Sequence, residues 1–312
     1  SMRGHGDEVR FSSADQFIMT LQGVRAGHTV TFDVLRQGRM VSVPITLDRR
    51  PDILDMNRFA NRDALRVFTT RRAEEAEEMW DRAESALANA LDDRGVAYEL
   101  SRLIARQGWI GAAIDAGHGG MGAGHVAKTI IIEELSRVSG AMGAMVQASQ
   151  LGVAKILHFG SDAQKAQWLP AVAAGDCLPT IAVTEKTSGS HVLGMASTAV
   201  RDGDSYVLNG RKAFVGNSHV GDLHGVVVRT GELSQHGSRS LSAFLVEADR
   251  PGFSLAPHRP AVGLPGFSFG ELIFDDCRVP VANLLGEEGD GLDVAYSSSI
   301  LVGRPNLTAV SL

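Results

Sequence analysis

The apolar periodicity of this chain changes from helical to extended near residue 177, and that single switch confines it to an α+β arrangement. From 53 to 177 apolar residues recur at three- and four-residue steps, the spacing of one helix face. Asp63-Ala64-Leu65-Arg66-Val67-Phe68 opens a segment that runs through EEAEEMWDRAESALANAL, and Gly95 closes it. Val126–Val138 predicts a second amphipathic helix, and Ala141–Phe159 a third, whose small residues allow close helix packing. Asp162-Ala163-Gln164-Lys165 is the capped start of a fourth, which ends near Gly175. From 178 to 283 the pattern alternates with period two. Ala196–Val200 meets a turn at Asp202-Gly203-Asp204, and Ser205–Leu208 follows. Asn209-Gly210 then reads as the strongest hairpin turn in the chain. Gly225–Thr230, Leu241–Glu247 and Glu271–Asp275 are further strands, and this spacing predicts an antiparallel sandwich or barrel. From Gly291 the texture is helical again.

Residues 1–51 are a separate piece. Ser12-Ser13-Ala14-Asp15 starts a helix over DQFIMTLQ that Gly23 stops. Thr29–Leu35 alternates, Gln37-Gly38 turns, Met40–Leu47 alternates again, and Arg49-Arg50-Pro51-Asp52 reads as a linker. This order resembles the second half of a PDZ domain of the protease-associated kind. The first strand and the glycine-rich carboxylate-binding loop of such domains have no counterpart, so the segment reads as a small docking hairpin rather than a peptide groove.

A formal net charge of −6 argues against nucleic acid as the main ligand. No stretch approaches the roughly 20 apolar residues that span a bilayer. The start, SMRGHGDE, lacks the basic and apolar run of a signal peptide, and the two lone cysteines fit a reducing cytoplasm, the location expected. Cys177 and Cys277 stand alone near apolar runs and read as buried free thiols. The histidines form no HExxH and no cysteine pair has zinc spacing, so no metal site is expected.

Two segments carry the candidate chemistry. Gly117-His118-Gly119-Gly120-Met121-Gly122 satisfies G-x-G-x-x-G, but the acidic residue due about 20 positions on is missing and the surroundings are helical, so it reads as a loop. Ala182–His191 (AVTEKTSGSH) joins the last helix to the first strand, with hydroxyls at Thr184, Thr187, Ser188 and Ser190 and a bare backbone at Gly189. From composition alone it is a polar loop able to bond a heterocycle or phosphate.

The order of motifs is more specific. Ala182–His191 resembles the T-E-P-x-x-G-S-D signature of the acyl-CoA dehydrogenase family, and Ser197 through Lys212 resembles the stretch that ends in Y-x-L-N-G-x-K. Upstream, Phe159-Gly160-Ser161-Asp162 with Lys165 and Trp168-Leu169-Pro170 is similar to the family's F-G-S-x-x-Q-K-x-x-x-L-P. Downstream, Phe274–Pro280 and Asn283-Leu284-Leu285-Gly286 resemble its F-D-x-V-x-V-P-x-x-N-L-L-G. The resemblance runs over roughly 60–312. It implies a helical domain over 52–177, an antiparallel β-barrel or sandwich domain over 178–290, the start of a truncated C-terminal helical domain over 291–312, and bound FAD.

The resemblance also places roles. Val183 and Thr184 fall where the flavin pyrimidine edge is held, and Gly189 and Ser190 where its pyrophosphate and the neighbouring substrate are contacted. Phe214 falls at the aromatic beside the isoalloxazine, commonly Trp, and Gly216 where the family usually has Thr or Ser bonding flavin N5. Three departures stand out: Lys186 for Pro, His191 for Asp, and Gly216 for the N5 donor. The implied reaction is α,β-dehydrogenation of an acyl thioester, on coenzyme A or an acyl carrier. Its catalytic Glu lies in most members beyond the position of Leu312, and in some just before the arginine matching Arg304, where this chain has Gly303. No catalytic residue is therefore assigned, and a homo- or hetero-oligomeric partner is expected to supply the missing helical domain. Two alternatives stay open: a non-catalytic flavin-fold interaction module, and a flavin monooxygenase of the same fold.

Overall fold

Two compact units, Ser1–Leu54 and Asp55–Leu312, make up the chain in a computed structural model. The structure describes residues 2–4, 7–9, 29–36, 39–46, 98–258, 263–264, 266–297 and 310. The first unit holds an antiparallel four-stranded sheet, β1 (Met2–Gly4), β2 (Asp7–Val9), β3 (Thr29–Arg36) and β4 (Arg39–Thr46), ordered β2-β1-β3-β4. The alternating runs of β3 and β4 pair without a break from Thr29↔Thr46 to Arg36↔Arg39. The helix expected over 14–22, the turn at 37–38 and the segment over 63–95 lie outside the described residues.

In the second unit four helices precede the sheet: α1 (Tyr98–Arg106), α2 (Gly124–Val138), α3 (Gly140–Phe159) and α4 (Asp162–Ala174). Residues 117–122 lie in the connection between α1 and α2, which carries 3-10 turns over Trp109–Ala113 and over Ala116–His118, the second capped by Asp115. α4 begins on a reciprocal capping box, in which Ser161 Oγ accepts from Gln164 N at 3.2 Å and Ser161 N donates to Gln164 Oε1 at 2.9 Å. α3 is buried on most of its surface, which explains why its sequence is so rich in small residues. A Cβ on Gly152 would stand only 2.6 Å from the Pro179 carbonyl carbon, so the helix can lie directly on the strand backbone. Among the described residues no helix is long and apolar enough to cross a membrane.

The sheet comprises β5 (Pro179–Ala182), β6 (Thr198–Asp202), β7 (Ser205–Gly216), β8 (Leu223–Arg229), β9 (Leu241–Glu247), β10 (Phe253–Leu255), β11 (Phe269–Pro280) and β12 (Leu284–Leu285). Its order is β10-β11-β7-β6-β8-β9-β12, with β5 running parallel to β8 off this path. The expectation of an antiparallel barrel is thus corrected. The sheet is mixed, because the chain enters it from α4 on a strand parallel to β8, and it is open, with β10 and β12 at its ends.

Asn209-Gly210 is also corrected. Both residues lie inside β7; the β6–β7 turn is the one read at Asp202-Gly203-Asp204, with Gly203 at φ +65°. A side chain at 210 would collide with Ser197, so close strand approach, not a hairpin, accounts for that glycine.

Both faces of the central strands are buried, which is why β8 and β9 read as nearly continuous apolar runs. Leu223, Val227, Ala243 and Leu245 face the helices, packed with Ile104, Trp109, Ile132 and Val146. Val226, Val228, Phe244 and Val246 face the other way, against Tyr206, Leu208, Leu272 and Phe274. Cys177 and Cys277 are buried free thiols, and burial pushes them up to about 12 and about 11. Beyond β12, α5 (Gly291–Ser297) sets Val294 and Ala295 into the helical side.

Candidate functional site

A buried ion pair fixes the geometry of the candidate site. Lys212 sits on β7 in phase with the inward-facing Tyr206 and Leu208, where a cation has no place unless it is paired. Its Nζ meets Glu185 Oε1 at 2.8 Å, with side chains 0% and 6% exposed, and also donates to the Val183 carbonyl at 3.1 Å. Glu185 accepts in addition from Ala196 N at 2.6 Å and Ser197 N at 3.0 Å. Burial pushes its carboxyl up, yet the Lys212 ammonium and the two amides outweigh burial and hold it below the ordinary range. Burial draws Lys212 down to about 8, against the pull of Glu185. The pair thus pins the loop after β5 to β7.

The two segments it joins form one wall of a cavity of about 700 Å³. α3 supplies the opposite wall with Ala144, Gln147, Ala148 and Leu151, and Phe267, Phe269 and Tyr296 close its rim. Val183, Thr184, Gly189, Ser190, Phe214 and Gly216, the residues singled out from the sequence, all line this one space. No Asp or Glu is among the described lining residues.

Phe214 is held at φ +57° and is 59% exposed, a costly pairing of backbone and side chain for a bulky residue. Its ring lies 6.0 Å from Phe269, which in turn lies 6.1 Å from Phe267, so three rings form a continuous wall. Immediately after Gly216, the last residue of β7, the chain is anchored by Asn217 (φ +59°), whose Nδ2 donates to Met145 O at 2.8 Å and to Ser149 Oγ at 2.9 Å. Asn217→Ala is expected to cost about 1–3 kcal/mol, because it strands buried acceptors on α3, and chemical denaturation measures it. An unchanged midpoint would show that Asn217 does not couple β7 to α3.

Of the departures, Lys186 pairs with Glu271 at 2.8 Å across to β11, and His191 is an exposed loop residue. Gly216 has a steric reason, since Ala148 and Phe267 crowd the space a side chain would need. Sequence reasoning missed the Glu185–Lys212 pair and the Phe267–Phe269 wall. The inward phase of Lys212 was the available signal for the first. For the second, Phe-Ser-Phe alternation signals a strand but not what its rings face.

Comparison with known proteins decides the family. The acyl-CoA dehydrogenase N-terminal domain model matches residues 59–176 and the acyl-CoA dehydrogenase middle domain model matches residues 180–277, together more than half of the chain. The chain belongs to the acyl-CoA dehydrogenase family. An acyl-CoA dehydrogenase of Bacillus subtilis is 36% identical over 69% of this chain and 56% of its own length. The structure of butyryl-CoA dehydrogenase from Megasphaera elsdenii superposes with a TM-score of 0.71 at 27% identity, covering 78% of this chain and 64% of that one. An acyl-CoA dehydrogenase from Bacillus anthracis, solved in complex with FAD, gives a TM-score of 0.67 at 30% identity and covers 78% of this chain and 41% of that one. This acyl-CoA dehydrogenase family chain spans about half the length of the curated relatives it matches.

Proposed function

We propose that this protein holds FAD in the cavity between α3 and β7 and acts in the α,β-dehydrogenation of an acyl thioester, carried on coenzyme A or an acyl carrier. The observation that carries the reading is convergence: the two segments to which the family resemblance gives cofactor roles, 183–190 and 214–216, line a single cavity. Its volume of about 700 Å³ lies within the range of small-molecule and cofactor sites. The residues suit a flat, polar-edged group. Val183 offers backbone and Thr184 a hydroxyl to the pyrimidine edge, and Phe214 flanks the ring. Gly189 and Ser190 face the phosphates, and a Cβ on Gly189 would meet nothing within 4 Å, so that approach is open.

When bound, FAD supplies the hydride acceptor. The α-proton of the thioester also needs a general base within hydrogen-bond reach, and the described lining offers no carboxylate for that role. We assign the base to none of the described residues.

The absorption spectrum of the purified protein, before and after adding FAD, tests the reading. Flavin bands that appear on adding FAD and are perturbed on adding an acyl thioester are the expected result. Protein that takes up no flavin under any of these conditions would overturn it and favour a non-catalytic interaction module. Oxygen consumption that depends on a flavin reductase, without thioester bleaching, would point to the monooxygenase alternative.

A further inference from the structure

Three separate elements close on one point of the cavity. A Cβ built on Gly216 of β7 would stand 3.1 Å from Ala148 Cβ on α3 and 3.1 Å from Phe267 Cζ on the segment before β11. Carbon atoms rest at about 3.5–4.0 Å, so the Phe267 ring and a side chain at 216 compete for the same space. Gly216, Ala148 and Phe267 all face the cavity.

The backbone that carries the ring is held in place. Phe267 N donates to Leu264 O at 3.0 Å, and the ring stacks on Phe269 with an interplanar angle of 28°. The next residue is clamped to the end of β7 twice: the Ser268 carbonyl accepts from Asn217 N at 2.7 Å, and its hydroxyl accepts from His219 N at 2.8 Å. Ser268 Oγ also meets Ser218 Oγ at 3.2 Å, and Ser218 Oγ meets His219 Nδ1 at 2.9 Å. His219 Nε2 faces the Ala256 carbonyl at 2.9 Å, which can only accept, so Nε2 donates to it. This buried network ties the backbone of Phe267 to the strand that carries Gly216.

We propose that Phe267 is a specificity-determining residue. It fills the space beside Gly216 and limits the cavity to compact acyl groups, excluding those with bulky or aryl substituents. The substrate class rests on the FAD and thioester reading above, whereas the steric pairing of 216 with 267 does not. A size filter built this way has a plain signature. Removing the ring opens a space of about one phenyl group between Ala148 and Gly216, and returning a side chain at 216 fills part of it again.

The test uses the full chain reconstituted with FAD. Butyryl-CoA and 3-phenylpropionyl-CoA are titrated against wild type, Phe267→Ala, and Phe267→Ala with Gly216→Ser, and the perturbation of the flavin bands gives each Kd. Wild type is expected to prefer butyryl-CoA by about tenfold or more, the scale at which an apolar pocket rejects a misfit group. Phe267→Ala is expected to lose or reverse that preference, and adding Gly216→Ser to restore part of it. The same preference in all three, with flavin bound, would overturn the proposal. A second measurement needs no ligand. Gly216→Ala is expected to lower the unfolding midpoint in the wild-type background and to do so far less in Phe267→Ala. Equal losses in both backgrounds would also overturn it. If no variant binds flavin, the functional reading fails, and this coupling still decides whether Phe267 occupies the space at 216.

Discussion

Lys212→Ala is expected to destabilise the protein by about 3–5 kcal/mol and to abolish ligand binding in the cavity, because it leaves the Glu185 carboxylate buried without its cation. The magnitude follows from burial: the two side chains are 0% and 6% exposed, so solvent cannot replace the lost partner. The consequence for binding follows from position. Glu185 directly follows Val183 and Thr184, and Lys212 directly precedes Ala213 and Phe214, so the pair sets the separation of two segments of the same cavity wall. Glu185→Gln with Lys212→Met removes both charges and keeps the approximate volumes, and it is expected to recover most of the stability. Urea denaturation of the two single variants and the double variant measures the coupling. A double variant whose loss equals the sum of the single losses would show that the pair does not act as a unit.

This pair also shows how much of the site was legible beforehand. Lys212 and Glu185 are 27 positions apart, and nothing local distinguishes Glu185 from a solvated loop acid. Their meeting depends on β5 entering the sheet parallel to β8, a non-local event. Elements stabilised by their own periodicity were legible: Leu241–Glu247 is β9 to the residue, and Ser161 with Gln164 forms the box that starts α4. Asn209-Gly210 failed for the opposite reason. As an isolated dipeptide it favours a tight turn, but pairing with β11 keeps it extended and its glycine serves the approach of Ser197. The cavity residues were legible through family motifs and not through local chemistry. Phe214 shows why, since its φ of +57° is imposed by the surrounding structure and no local pattern announces it. Phe267, absent from those motifs, was not found.

Lys155→Met is expected to stabilise the protein at neutral pH, by at least about 1–3 kcal/mol, the cost of a buried donor with no partner. Lys155 lies on α3 one turn beyond the cavity residue Leu151, with 1% of its surface exposed. Its Nζ has no hydrogen-bond partner among the described residues, and its stem packs against Gly225, where a Cβ would lie 2.9 Å from Lys155 Cδ. Burial lowers its amine well below the ordinary value of 10.5. The sign follows from that depression. Above about pH 10.5 the amine is neutral in both the folded and the unfolded chain. As the pH falls below that value the unfolded chain takes up a proton that the folded chain refuses, so stability is lost progressively until the folded amine also titrates. Lys155→Met carries no such group. Its advantage over wild type is therefore expected to be smallest above the unfolded value and to grow as the pH falls toward neutrality. Denaturation midpoints of both proteins across that range provide the check. Parallel pH profiles would show that Lys155 is charged and solvated in the folded chain, contrary to its burial against Gly225.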